Sequence, residues 1–122
     1  MVTHIDQGVG KLIETLKALN IDQNTLVIFT SDNGPAYLGS PLHFKGRKTD
    51  FHEGGVRVPM IAWMPKTIKR DQTTDVISNT VDFLPTFGSF AKAKGAKVIT
   101  DGMDLSRVLK GKANTLELPD MF

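Results

Sequence analysis

With 122 residues, 40% of them hydrophobic and 23% charged, the chain is sized for at most one domain and has enough apolar content for a globular core. Its formal net charge of +2 is small for that length, and no interleaving of basic and aromatic residues marks a nucleic-acid surface. The absence of cysteine excludes disulfides, thiolate nucleophiles and Cys-based zinc sites, and no apolar run reaches the ~18 residues that a membrane span requires.

Met1-Val2-Thr3-His4-Ile5-Asp6 is polar and lacks a basic leader region, so no signal peptide is expected there. Residues 1–19 read as an amphipathic helix: Val2, Ile5, Val9, Leu12, Ile13, Leu16 and Leu19 recur in steps of three and four, with Lys11, Glu14 and Lys17 on the outer side. Gly8 and Gly10 weaken it, His4 beside the stripe reads as structural, and Asn20 is a suitable terminator. A short loop over 20–24 leads into Leu26-Val27-Ile28-Phe29, a brief apolar run that predicts a strand buried on both faces. It stops at Ser31-Asp32-Asn33-Gly34-Pro35. Ligands in open α/β sheets bind beyond the carboxyl ends of strands, so Asp32 and Asn33 stand where a site belongs. Their hard oxygens suit Ca²⁺ or Mg²⁺ rather than zinc, while the same letters also make an ordinary turn.

A long polar loop, 35–52, follows directly on that rim and carries His43, Lys45, Arg47, Lys48 and His52. Loops of such length in compact domains are usually functional or disordered, and the position at the rim favours function. Taken alone, Lys48 reads as a solvated loop charge. Glu53-Gly54-Gly55 leads to a second strand expected over 56–63, interrupted, bulged or at an edge at Pro59 because proline lacks the ladder donor. Arg57 reads as an interior ion-pair partner or a substrate contact.

Residues 65–75 form a basic connection. Asp82 reads as an N-cap, with Pro85 tolerated in the first turn and helical spacing of Phe83, Leu84, Phe87, Phe90 and Ala91 running to about 93, where Gly95 ends it. Trp63, Phe87 and Phe90 are expected in the core. A last helical turn over 105–109 is capped by Asp104 and closed by Gly111. The only other strand candidate is Lys97-Val98-Ile99. A strand buried on both faces needs neighbours on both sides, and two-stranded sheets are marginal alone. The inventory therefore describes an α/β chain with an incomplete sheet.

Four ordered segments carry a family resemblance. Val27–Gly34, V-I-F-T-S-D-N-G, resembles the metal-ligand strand end of the sulfatases, within the alkaline-phosphatase-like superfamily. Gly46-Arg47-Lys48 followed by Glu53-Gly54-Gly55-Val56-Arg57-Val58-Pro59 resembles their G-x-K-x-x-x-x-E-G-G-x-R-x-P segment. Val81-Asp82-Phe83-Leu84-Pro85-Thr86 resembles V-D-x-x-P-T, and Asp101-Gly102-Met103-Asp104-Leu105 resembles D-G-x-x-L. The resemblance spans nearly the whole chain and implies a partial α/β/α sheet with flanking helices. It also implies that Asp32 and Asn33 give oxygens to a divalent cation, usually calcium, and that Lys48 contacts a sulfate oxygen and steadies charge on the leaving group. Such placement agrees with the chemistry, since cationic groups neutralise charge as an S–O bond breaks. Glu53-Gly54-Gly55 is expected to be architectural.

Departures from the family pattern matter as much. The nucleophile implied by the resemblance is a formylglycine made within C/S-x-P-S/A-R, and no such motif occurs in these residues. The first pair of metal-binding aspartates and the upstream lysine and histidines are missing too. The chain thus resembles an internal or C-terminal piece of a sulfatase, expected to bind calcium weakly or not at all and to be inactive by itself. Its expected partners are a sulfate-ester substrate in the parent family, together with a missing N-terminal sulfatase portion or a second copy of the chain. The alternatives are a phosphoryl or phosphonate ester hydrolase of the same superfamily and a non-catalytic strand-pairing module. The family is commonly periplasmic, secreted or lysosomal, which leaves the compartment open.

Overall fold

A computed structural model describes residues 2–36, 39–93 and 100–116. In chain order the elements are α1 (Val2–Ala18), a 3₁₀ turn (Asp22–Asn24), β1 (Val27–Thr30), α2 (Glu53–Val56), β2 (Met60–Trp63), a second 3₁₀ turn (Thr80–Asp82), α3 (Phe83–Phe90) and α4 (Ser106–Leu109). They fall into two compact units, one formed by Val27–Trp63 and the other by the residues before and after it.

The unit Val27–Trp63 is a strand pair with a long loop folded around a glycine-rich turn. β1 and β2 are antiparallel, with Val27 opposite Trp63 and Thr30 opposite Met60. Val27, Ile28 and Thr30 are half-buried, and Phe29 is 42% exposed. Burial of this strand on both faces is therefore not what the described residues provide. β1 has one partner strand among them, so only one edge of its backbone is paired by the sheet. β2 begins only at Met60. The preceding Val56 closes the helical turn α2 instead of opening a strand, and Arg57 N–H returns to the Glu53 carbonyl at 2.8 Å. Pro59 marks the boundary as its missing N–H requires.

The other unit is helical. α1 forms as its periodicity predicts, and it ends by a Schellman pattern: Ile21 N–H reaches the Leu16 carbonyl at 3.1 Å and Asn20 N–H the Lys17 carbonyl at 3.0 Å. Asn20 itself takes the left-handed conformation, φ +56°, that asparagine tolerates better than most residues. No residue of α1 is buried, and His4 lies exposed on it.

The core of this unit is small and partly polar. Met64, Leu105 and Val108 are its buried hydrophobic residues, joined by buried Asp82, Thr86 and Ser106. Thr86 is fully buried and bridges two segments: its hydroxyl donates to the Asp82 carbonyl at 2.6 Å and accepts from Leu105 N–H at 2.9 Å. Asp82 does not cap α3 with its side chain. One carboxylate oxygen accepts from Asn79 N–H at 2.7 Å, completing a capping box for the 3₁₀ turn, and the other accepts from Met103 N–H at 2.8 Å. The aspartate thus ties residues 81–86 to residues 101–105.

α3 stops at Phe90, short of 93, because Lys92 turns left-handed at φ +51° and Ala93 N–H folds back to the Gly88 carbonyl at 2.9 Å. Gly95 and the strand candidate Lys97-Val98-Ile99 lie outside the described residues. Trp63 and Phe90 are half-buried, whereas Phe87 is 45% exposed and stacks on Phe83 at 5.5 Å. Residues 105–109 behave as read: Asp104 accepts from Ser106 N–H at 2.8 Å and Gly111 closes the turn at φ +65°.

Candidate functional site

The rim beyond β1 is held from two sides within the unit Val27–Trp63. Gly34 N–H donates to the Gly55 carbonyl at 2.8 Å, and Lys48 N–H donates to the Pro35 carbonyl at 3.0 Å. On the Gly55 side the packing leaves no room for side chains. A Cβ on Gly34 would strike the Gly54 carbonyl, one on Gly54 the Gly46 carbonyl, and one on Gly55 the Asp50 carbonyl. Backbone lies directly on backbone at these positions, which is why the segment needs glycines. On the other side the Lys48–Pro35 bond draws the long loop back over the strand end. The Ser31 hydroxyl donates to the Asn33 carbonyl at 2.9 Å and stiffens the turn between them.

This arrangement opens a cleft of about 760 Å³ whose walls include Ser31, Asn33, Ser40, Leu42, Lys48 and Arg57. Asn33 and Lys48, separated by fifteen positions in sequence, therefore share one concave surface. Asp32 is not one of the walls. It is exposed, and it joins the site through Asn33, whose Nδ2 donates to Asp32 Oδ1 at 2.7 Å.

Lys48 and Arg57 are the two cations in the walls, and their surroundings differ. Lys48 makes no ion pair among the described residues. Arg57 pairs with Glu53 at 3.1 Å, and its guanidinium carbon stands 4.8 Å from the centre of the Phe44 ring. That pair is not interior, because the Arg57 side chain is 46% exposed. His43 and His52 are exposed on the loop, the former with its ring 4.3 Å from that of Phe44.

Asp32 and Asn33 carry the hard oxygens that calcium and magnesium take. In the structure Asn33 turns its Nδ2 to the Asp32 carboxylate, and a cation would need Oδ1 there instead, so the pair gives at most one part of a donor shell. Among the described residues there is no group of three or more His, Cys, Asp or Glu that would supply the rest. No helix among them is long and apolar enough to cross a membrane.

Leu42, Phe44 and Ser40 belong to the cleft without having been marked as site residues by their sequence. The signal available was positional: they lie in the loop that leaves the strand rim and returns to Lys48.

The comparisons with known proteins agree on one family. The Sulfatase family model matches residues 1–93. The chain is 38% identical over 120 residues to mouse N-acetylgalactosamine-6-sulfatase, covering 91% of this chain and 23% of that protein. It is 38% identical to human arylsulfatase A, covering 88% and 22%, and 35% identical to human steryl-sulfatase, covering 99% and 23%. The solved structure of Ps i-CgsB in complex with k-i-k-neocarrahexaose superimposes with a TM-score of 0.81 at 36% identity, over 93% of this chain and 26% of that one. The chain therefore spans about a quarter of the length of the relatives it matches. The match of the Sulfatase model over residues 1–93, with relatives at 35–38% identity, places this chain in the sulfatase family.

Proposed function

We propose that the cleft is one half of a sulfuric ester hydrolase site: Lys48 binds a sulfate oxygen, and Asp32 with Asn33 gives part of the donor set of a divalent cation, calcium by family resemblance. The observation that supports this reading is the shared cleft, in which a lysine without an ion pair among the described residues and an asparagine bonded to a carboxylate line the same concave surface.

Each group has a definable role. The Lys48 ammonium holds the sulfate end of the ester electrostatically and offsets negative charge that accumulates on the leaving oxygen as the S–O bond lengthens. Asp32 contributes a full charge and Asn33 a neutral carbonyl oxygen, a combination suited to a hard cation. When bound, that cation supplies Lewis-acid stabilisation beside the same sulfate. The glycine packing beneath Gly34 keeps the rim from shifting, and so fixes Asn33 relative to Lys48.

The 122 residues contain no formylglycine motif, so no residue in them is assigned as the nucleophile. The chain alone is expected to give no turnover of p-nitrophenyl sulfate, and clear turnover that survives further purification contradicts this half-site reading. Calcium prefers about six to eight oxygens, and this pair offers two or three. Calorimetric titration of the isolated chain should therefore show no micromolar affinity for Ca²⁺; a tight, stoichiometric isotherm means that the donor set is more complete than proposed.

A second reading, a non-catalytic module that pairs its strand with another chain, draws support from the two-stranded sheet, with Phe29 on β1 42% exposed and Ile61 on β2 63% exposed.

A further inference from the structure

Asn20, Asn24, Asn79 and Asn114 each precede isoleucine or threonine. A β-branched side chain crowds its own backbone nitrogen and hinders its approach to the asparagine before it. Asn33 alone among the asparagines is followed by glycine. With no Cβ on Gly34, its nitrogen can reach the Asn33 side-chain amide unhindered. In an unfolded chain this pair is the one most open to losing its amide, by the kind of chemical change that unfolded states suffer.

The fold withholds both reactants. Gly34 is buried, and its N–H donates to the Gly55 carbonyl at 2.8 Å, so the nitrogen is neither open to solvent base nor free to turn. The acceptor is fixed in its turn, because a Cβ on Gly55 would strike the Asp50 carbonyl. Asn33 is half-buried, and its Nδ2 donates to Asp32 Oδ1 at 2.7 Å. Cyclisation requires both of these bonds to break.

We propose that Asn33–Gly34 is a self-modification site, held unreacted by the Gly34–Gly55 hydrogen bond and released wherever that bond opens. The Gly34 nitrogen attacks Asn33 Cγ, and the new N–Cγ bond closes a cyclic imide. The Cγ–Nδ2 bond breaks, and ammonia leaves with the Gly34 amide proton. Water then opens the imide at either carbonyl. Opening at Cγ leaves an aspartate at position 33; opening at the backbone carbon leaves an isoaspartate. Both products put a carboxylate where the cleft wall now has a neutral amide, on the surface it shares with Lys48. The isoaspartate also lengthens the backbone between positions 33 and 34, which displaces the N–H that Gly55 accepts. The reaction does not depend on what the cleft binds.

The test incubates the full chain at mildly alkaline pH, in native buffer and in urea. Digestion and mass spectrometry then read the amide-to-acid mass gain at Asn33, with Asn24 and Asn79 as internal references. In urea Asn33 should convert faster than either reference. In native buffer it should convert at least about tenfold more slowly than in urea, because reaction through an open state scales with that state's population. Gly55→Ala shifts the acceptor and should cut this protection by about threefold or more. Where that variant fails to fold, hydrogen exchange on the native chain reads the same bond: the Gly34 N–H should exchange at least about tenfold more slowly than in a free chain. Absence of conversion at Asn33 in urea overturns the modification site. Equal rates in native buffer and urea, undiminished protection in a folded Gly55→Ala chain, or free-chain exchange of the Gly34 N–H each overturns the role of the Gly34–Gly55 bond.

Discussion

A Cβ on Gly34 would run into the Gly54 carbonyl, and Gly34 N–H already donates to the Gly55 carbonyl at 2.8 Å. The obstruction is backbone, so it cannot swing aside as a side chain would. Gly34→Ala is therefore expected to destabilise the unit Val27–Trp63 by about 1–3 kcal/mol, the usual cost of overpacking, and to displace the adjacent Asn33. Chemical denaturation monitored by Trp63 fluorescence reads the first effect; an unchanged midpoint would mean that the glycines are not in contact. At the same scale, Asp32 and Asn33 stand out in the sequence as oxygen donors after a buried-looking strand, whereas Lys48 taken alone reads as a solvated loop charge and is marked only by the family resemblance. Arg57 was ambiguous for a physical reason: whether a cation is matched depends on where the nearest carboxylate falls, and Glu53 comes within 3.1 Å only because residues 53–56 form a helical turn.

Elements repeat this division between local and distant causes. The ends of α1 and α4 follow from residues within one turn of each end: Asn20 at φ +56°, the Asp104 carboxylate on Ser106, Gly111 at φ +65°. Such signals are written in consecutive letters. α1 also carries a test of its own. Beyond the helix's own backbone, nothing lies within 4 Å of where a Cβ on Gly8 or Gly10 would sit, and the helix buries none of its residues. Its stability within this chain therefore leans on intrinsic propensity, and Gly8→Ala and Gly10→Ala should each add about 0.5–1 kcal/mol of helix stability. Greater ellipticity at 222 nm and a higher melting temperature are the expected readouts. A loss of stability would reveal that another surface approaches those two positions in solution. Asp82 shows the opposite case. Its place before α3 suggested a cap, but its carboxylate serves Asn79 and Met103, the latter twenty-one residues away, and nothing in the local pattern encodes that second bond.

For the whole molecule, each unit leaves large hydrophobic side chains in solvent. On α1, Val2 is 80% and Ile5 49% exposed; in the strand unit, Phe51 is 98% and Ile61 63% exposed. Large apolar side chains left in solvent favour association. Light scattering over a range of concentrations is accordingly expected to show a mass that rises above 13.4 kDa with concentration. A constant monomer mass would remove the physical motive for the strand-pairing reading. The relatives it matches are about four times longer, so comparable surfaces on them have further chain available as a packing partner.

Residue order alone determined the helix of residues 2–18 and its asparagine stop, the strand that ends before Asp32, the proline boundary ahead of Met60, the closing turn near Gly111 and the family. All depend on periodicity, on caps or on short ordered motifs. Only the tertiary structure decided that Asn33 and Lys48 line one cleft, that Arg57 pairs with Glu53 while Lys48 has no ion pair among the described residues, and that Leu42 stands in the wall beside them. It also showed that residues 81–86 and 101–105, two separate motifs in the sequence, are one hydrogen-bonded assembly through Asp82 and Thr86. The reason is the range of the forces involved. Capping and helical periodicity act over three to five residues, whereas the placing of Asn33 with Lys48 and the Asp82–Met103 and Thr86–Leu105 bonds bridge fifteen or more, where backbone packs on backbone at Gly34 and Gly102.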